Sequence, residues 1–205
     1  SSGRPADEIA RIARAERADL IVAGRRGAGG FPRLMLGSTA ERLARLSSVP
    51  VLLVSDRPAS YRRVTLALDV TEDVSAITKA TLRLLPARRQ IDVLHIYWVY
   101  GEGYLRLGGA SDRTVARHSA MIREQAAERL APIVQSLTDA GMRASGRLMN
   151  GDPRRLVPRV IRSTKPDLVV LGNHARNAVS RALLGSVASE VLKSTARDVF
   201  LVPVA

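Results

Sequence analysis

Short apolar runs alternate with amphipathic stretches along almost the whole chain. The strand-sized runs are DLIVAG, VPVLLVS, VTLALDV, IDVLHIYWV, DLVVLG and DVFLVPV. Continuous apolar runs of this length are typical of strands buried on both faces of a parallel sheet. The stretches between them predict helices, among them a long one over residues 112–140 with a bend at Pro132, and MRASGRLMNGD predicts a further strand. Because strands that alternate with helices imply crossover connections, the pattern predicts an α/β fold.

The two ends of the chain repeat each other. Residues 1–56 align without a gap to residues 149–204, at an offset of 148 and with 16 identical positions. A match that runs through loops as well as strands indicates a duplicated unit of helix, strand, glycine loop, helix and strand. We therefore expect residues 1–56 to form the C-terminal half of a first domain, residues 57–60 a linker, and residues 61–205 a complete second domain.

The first unit lacks an upstream counterpart to residues 61–148, which number 88. Two strands and two helices do not easily close a core alone. The repeat therefore predicts a further half-domain that is absent from this sequence or supplied by another chain.

A glycine-rich segment follows the first apolar run. It has the pattern G-x2-G-x9-G-[ST], at Gly24, Gly27, Gly37 and Ser38, which is neither a P-loop nor a dinucleotide-binding pattern. Glycines at a strand end allow close approach of a ligand, and the free N–H groups at a helix N-terminus favour an anion. The pattern predicts a phosphate cradle. The alternative is a capping box between Ser38 and Glu41, which would satisfy the helix end without a ligand.

Composition narrows the function classes. The net charge is +13, but 29 of the 32 basic residues are scattered arginines and only 3% of residues are aromatic. Nucleic acid is therefore not the expected partner, because there is little on which bases can stack. Arg25, Arg26 and Arg33 lie on the glycine loop and could reach a phosphate, but solvated arginines are the commoner case in a basic protein. There is no cysteine and no apolar run long enough to span a bilayer, so we expect a cytoplasmic protein without a membrane partner.

The glycine pattern after a strand, together with a first domain strand that ends in aspartate, resembles the universal stress protein family. The resemblance covers one complete domain and half of another, as in a tandem member. It implies a Rossmann-like fold of the adenine nucleotide α-hydrolase type, with a five-stranded parallel sheet of order 3-2-1-4-5 flanked by helices. It also implies that ATP, with Mg²⁺, binds in the crevice between strands 1 and 4.

The resemblance assigns binding roles to residues of both copies. The first copy carries the complete loop, at Gly24, Gly27, Gly37, Ser38 and Thr39. In the second copy, Asp69 corresponds to the aspartate that accepts hydrogen bonds from ribose, and Ile96 to the apolar residue that lines adenine. The second loop positions are Gly172, Gly185, Ser186 and Val187. Ala175 replaces the second glycine there, which favours the first domain as the ATP site of a complete protein.

No catalytic arrangement is found in the sequence, and we do not expect an enzyme. The three histidines, His95, His118 and His174, are not at metal-ligand spacing. The leading hypothesis is an ATP-binding regulatory protein of the stress response that acts through nucleotide-dependent protein contacts. The first alternative is a nucleotide-free module for protein interaction, and the second is a nucleotide-dependent enzyme on a related sheet. The exposed edges of the two last strands predict pairing, within one chain or in a homodimer.

Overall fold

The computed structural model describes residues 4–26, 36–55, 60–99, 107–174 and 184–204. The described strands are β1 (Ile21–Gly24), β2 (Val51–Val54), β3 (Arg63–Leu68), β4 (Gln90–Tyr97), β5 (Arg143–Asn150), β6 (Leu168–His174) and β7 (Asp198–Val204). The described helices are α1 (Pro5–Ala15), α2 (Ser38–Leu46), α3 (Ser75–Leu84), α4 (Asp112–Asp139), α5 (Pro153–Thr164) and α6 (Ser186–Ser194). None of these helices combines the length and the hydropathy needed to cross a bilayer.

All the strands belong to one sheet, of order β1-β2-β7-β6-β3-β4-β5. The five strands from β7 to β5 are parallel to one another, and β1 is parallel to β2. The two groups meet where β2 and β7 pair antiparallel, with Leu52 opposite Phe200. Strands β3 to β7 have the predicted parallel arrangement and, numbered from β3, the predicted order 3-2-1-4-5. The sheet as a whole differs from the prediction, because β2 and β1 extend it to seven strands and make it mixed. The apolar edge of β7 is covered by β2 instead of remaining exposed.

Helices cover the two faces of the sheet unequally. One apolar layer packs α1, α2, α5 and α6 against the sheet. The other layer packs α3 and α4 against β3 to β7. Val22 of β1 is 58% exposed, because no described helix covers that face of β1.

The helix ends follow the local sequence in part. Pro5 and Pro153 each occupy the first helical position, as helix N-termini favour. Helix α4 continues through Pro132. The predicted linker, residues 57–60, lies outside the described residues except for Ser60.

Candidate functional site

A cavity of about 320 Å³ opens at the carboxyl ends of β3 and β6. The second-copy residues singled out in the sequence all line it, namely Asp69, Ile96, Gly172, Gly185, Ser186 and Val187. The inner surface is apolar and is formed by Ala67, Leu94, Leu171 and Val157. The volume is within the range of small-molecule sites, and the position is the one at which open parallel sheets bind ligands.

Asp69 lies directly after β3 and is exposed. Its Oδ1 accepts hydrogen bonds from the Thr71 backbone N–H (3.0 Å) and from the Thr71 hydroxyl (2.6 Å). The aspartate therefore stabilises the turn that follows the strand, and no group among the described residues donates a hydrogen bond to Oδ2. Oδ2 is thus available to accept a hydrogen bond from a ligand hydroxyl.

His95 holds the strand end that carries Asp69. The ring is buried, and Nδ1 lies 3.0 Å from the Leu68 carbonyl oxygen and 3.4 Å from the Val70 backbone nitrogen. Because one ring nitrogen cannot donate and accept at once, the shorter contact places the proton on Nδ1, which donates to the carbonyl. His95 therefore fixes the backbone at Leu68, directly before Asp69, and does not itself line the cavity.

The N-terminus of α6 faces the same cavity. Gly185 is the N-cap residue and Ser186 begins the helix, and no side chain caps this end. The first N–H groups of a helix have no partner within the helix, and the helix dipole favours negative charge beside them. A β-carbon at Gly185 would meet nothing within 4 Å, so the space beside this helix end is open.

The rim beside α3 is acidic. Glu72 and Asp73 line the cavity together with Asp69. Hydrogen bonds from the Ser75 backbone N–H and hydroxyl lower the pKa of Asp73, so that this carboxyl is ionised at neutral pH. No lysine or arginine lies among the described lining residues, and no three acidic or histidine side chains within the described ranges are grouped to hold a metal ion. This half of the cavity suits ligand hydroxyl groups.

The first glycine loop is arranged differently. The Gly37 N–H donates to the Arg25 carbonyl (2.8 Å) and closes the loop between β1 and α2. Ser38 and Thr39 line a separate depression with Arg4 and other residues, and Gly24 is not among its described lining. Gly27 of the predicted loop lies outside the described residues.

The predicted capping box at this loop was wrong. Gly37 is the N-cap of α2, Ser38 is the first helical residue, and no side chain caps the helix. In a capping box the serine is the N-cap and the glutamate is the third helical residue. Here Glu41 is the fourth, so the two side chains are out of register for that contact.

Two residues that follow the strand-end glycines hold the copies together. The Arg25 guanidinium donates two hydrogen bonds, to the carbonyl oxygens of Leu192 and Thr195 at the end of α6 (2.8 Å each). At the position 148 residues later, the Asn173 side-chain amide donates to the carbonyl oxygen of Ala44 in α2 (2.7 Å). Ala44 is itself the counterpart of Leu192 in the repeat, so the two contacts are reciprocal.

This contact corrects the hypothesis that Arg25 reaches a phosphate. The side chain is 3% exposed, and burial lowers its pKa while the nearby Asp198 carboxylate raises it. Its guanidinium stabilises a helix C-terminus, where a cation is favourable. Arg33 lies outside the described residues, as do Ala175 and the side chain of His174.

Sequence reasoning missed several residues of this region. Glu72, Asp73 and Val74 line the cavity without a motif to mark them. His95 had a signal, since a histidine within an apolar strand opposite Leu68 requires a polar partner. Asn173 also had one, because an amide in line with a buried apolar strand must be hydrogen-bonded.

Comparison with known proteins gives a consistent result. The model of the universal stress protein family matches residues 1–55 and 60–203. A universal stress protein of Mycolicibacterium smegmatis is 27% identical over 189 residues, which cover 90% of this chain and 62% of that protein. One of Methanocaldococcus jannaschii is 48% identical over 52 residues, which cover 25% of this chain and 31% of that protein. The chain thus spans less than two thirds of the length of these relatives.

Solved structures agree on the fold. A putative universal stress protein of Pseudomonas aeruginosa superposes with a TM-score of 0.67 at 20% identity, covering 98% of this chain and 69% of that one. At this identity the likeness concerns the fold alone. Since the family model matches nearly the whole length, the chain belongs to the universal stress protein family.

Proposed function

We propose that this chain is an ATP-binding regulatory protein of the stress response, which acts through nucleotide-dependent protein contacts. The observation that carries the proposal is the cavity at the carboxyl ends of β3 and β6. It combines a hydrogen-bond acceptor, Asp69, an apolar wall that includes Ile96, and the uncapped N-terminus of α6. These are the groups that a ribose, an adenine ring and a phosphate require.

The described residues fit the nucleoside half of such a ligand. Asp69 Oδ2 would accept from a ribose hydroxyl, while Ile96, Leu94 and Val157 would contact the base. The N–H groups after Gly185 would meet the first phosphate. When bound, Mg²⁺ would neutralise phosphate charge.

The second copy is the proposed site in this chain. Its cavity has walls from β3, β4 and β6, whereas β1 beside the first glycine loop is the edge strand of the sheet. The sequence argument that preferred the first loop depended on a complete first domain. The first loop remains a proposed second site wherever that domain is complete.

The route from nucleotide to protein contact begins at Gly172. This residue lines the cavity, and the next residue, Asn173, donates to the Ala44 carbonyl in α2. A ligand that displaces the backbone at Gly172 would also displace the hydrogen bond that joins the two copies. Nucleotide occupancy would in this way alter the surface formed by α2.

Calorimetric titration of nucleotide-free protein with Mg-ATP tests the proposal. We expect one site, lost in Asp69→Ala and in Gly185→Val, and retained in the matched control Gly37→Val. Gly185 has ordinary helix-cap dihedrals and open space at its β-carbon, so its variant should fold normally. Binding that is lost in Gly37→Val and kept in Gly185→Val would assign the site to the first loop.

The nucleotide-free alternative also has an observation in its favour. Asp69 Oδ1 stabilises the turn after β3 through Thr71, so the residue has a structural role without any ligand. No heat at millimolar ATP, and no nucleotide released from purified protein on denaturation, would favour a module for protein interaction or homodimerisation. We also propose that the chain is a tandem member with half of a first domain. A cytoplasmic location and the lack of catalysis are likewise proposals.

A further inference from the structure

Five arginines lie at the amino ends of the parallel strands, on the side of the sheet opposite to the cavity. They line a groove of about 980 Å³ at the amino ends of β3, β4 and β5. We call it the arginine groove and define it by Arg62, Arg63, Arg88, Arg89 and Arg143. Since β3 has six residues at ~3.3 Å each, the groove and the cavity are separated by about 20 Å.

Strand pairing fixes the backbone beneath these side chains. Arg63 lies beside Gln90, and Gln90 lies beside Arg143. The Gln90 N–H donates to the Arg62 carbonyl (2.9 Å), and the Arg143 N–H donates to the Arg89 carbonyl (2.8 Å). The arginines therefore extend from a rigid sheet edge and not from a long loop.

Their charge is not neutralised by carboxylates of the described chain. Asp167 is the one carboxylate in the described lining, and its Oδ2 accepts from the backbone N–H groups of Arg62 and Arg63 (2.9 Å each). The Arg63 guanidinium donates to the Lys165 carbonyl (3.2 Å). Arg89 Nε is buried without a hydrogen-bond partner. An anion in the groove would meet several guanidinium groups for which the described residues supply one carboxylate.

Arg88 adds an independent observation. Its φ is 67°, in the left-handed region, and its N–H donates to the Gly141 carbonyl (2.8 Å). Glycine or asparagine adopts this conformation more easily than arginine does. Backbone strain held in place by its surroundings is often associated with a functional site.

We propose that the arginine groove binds an anion that carries several adjacent phosphate groups. Guanidinium groups match phosphate oxygens in a bidentate manner, and the groove is much larger than one phosphate. Its described lining contains no aromatic residue and, apart from Ala144, no apolar one. A ligand is therefore recognised through its phosphates and not through stacked bases.

Calorimetric titration with inorganic tripolyphosphate tests the proposal, with orthophosphate as the single-phosphate comparison. We expect tripolyphosphate to bind at least tenfold more tightly, and to weaken on the order of tenfold between 50 and 200 mM salt. Arg88→Asn and Arg89→Gln should each weaken binding about tenfold, as expected for the loss of one charge-assisted contact. Arg117→Asn, at an exposed position of α4, is the charge-matched control and should bind as the wild type does.

Arg88→Asn separates recognition from folding. Because asparagine tolerates the backbone conformation better, this variant should be at least as stable as the wild type while it binds less. ATP binding that is sensitive to Arg88→Asn and survives Gly185→Val would support the groove and identify its phosphates as those of a nucleotide. Equal binding by the wild type and both groove variants would overturn the proposal. Tighter binding of an oligothymidylate of the same charge would also overturn it, in favour of nucleic acid.

Discussion

Replacing Arg25 with methionine tests whether the contact between the two copies stabilises the fold. Arg25→Met keeps an unbranched, flexible stem without the guanidinium, and it removes both hydrogen bonds to the end of α6, at Leu192 and Thr195. The outcome is not evident in advance. A buried charge is costly to desolvate, and replacing it with an apolar residue can be neutral or stabilising.

We expect the two hydrogen bonds to contribute more than a buried methionine would, even though Arg25 Nη1 is buried without a hydrogen-bond partner among the described residues. Each contact is 2.8 Å long and joins a charged donor to a carbonyl oxygen, a type that contributes roughly 1.5 kcal/mol or more. The two hydrogen bonds together contribute about 3 kcal/mol to the free energy of unfolding. Burial of the methionine side chain offsets about 1 kcal/mol of their loss. We therefore expect the free energy of unfolding to fall by about 2 kcal/mol.

Urea unfolding followed by circular dichroism measures this change. Arg159→Met, at an exposed position of α5, is the matched control and should change the free energy of unfolding by less than about 0.5 kcal/mol. Asn173→Leu removes the single reciprocal bond and should reduce it by about 1 kcal/mol. Since the Arg25 contacts are buried, the difference should persist in 0.5 M salt. An Arg25→Met protein as stable as the wild type would refute the reasoning.

Three further predictions concern single residues. Burial and the hydrogen bond from the Tyr61 hydroxyl to Asp198 (2.7 Å) raise the pKa of this phenol. The stability that this hydrogen bond contributes is present below pH 10 and is lost as the pH rises through the folded-state pKa. In Tyr61→Phe, the free energy of unfolding in urea should therefore decline less at alkaline pH than it does in the wild type. Gly151→Ala should reduce the free energy of unfolding by ~1–2 kcal/mol, because φ is 142° and the new β-carbon would lie 2.8 Å from Leu156 Cδ1; an unchanged midpoint would contradict this. The free energy of unfolding of Gly185→Ala should lie within ~0.5 kcal/mol of the wild-type value, since the new β-carbon would meet nothing within 4 Å. A larger loss of stability in thermal unfolding would count against the open cavity.

The strands could be predicted from the sequence because each is a local apolar run. The run that ends at Asp69 and the one before Gly172 became β3 and β6, and their adjacency matches the strand order that the family resemblance implied. Pairing between the two last strands was expected from their apolar edges, but its antiparallel direction could not be derived from the sequence. Pairing between β2 and β7 depends on two edges separated by more than a hundred residues, and no local pattern specifies an antiparallel register between them.

The sequence predicted the residues whose place in the site is set by their position at a strand or helix end. It did not predict the roles that depend on the direction in which a side chain points. Gly172, Gly185 and Asp69 line one cavity because parallel strands place their carboxyl ends together. Arg25 could not be interpreted correctly, because an arginine beside glycines is equally compatible with a phosphate and with a helix C-terminus. The capping box failed for a smaller reason, since α2 begins one residue later than that motif requires.

The parallel part of the sheet also separates the charges of this basic chain. At the carboxyl ends of the strands the described cavity lining contains Asp69, Glu72 and Asp73 and no basic residue. At the amino ends the lining of the arginine groove contains five arginines and one aspartate. A net charge of +13 is therefore compatible with a cavity suited to a nucleoside, because the described cavity lining has no basic residue and the five groove arginines lie about 20 Å away, across the length of β3. The same separation makes the two proposed sites independently testable, since the variants at one edge leave the residues of the other in place.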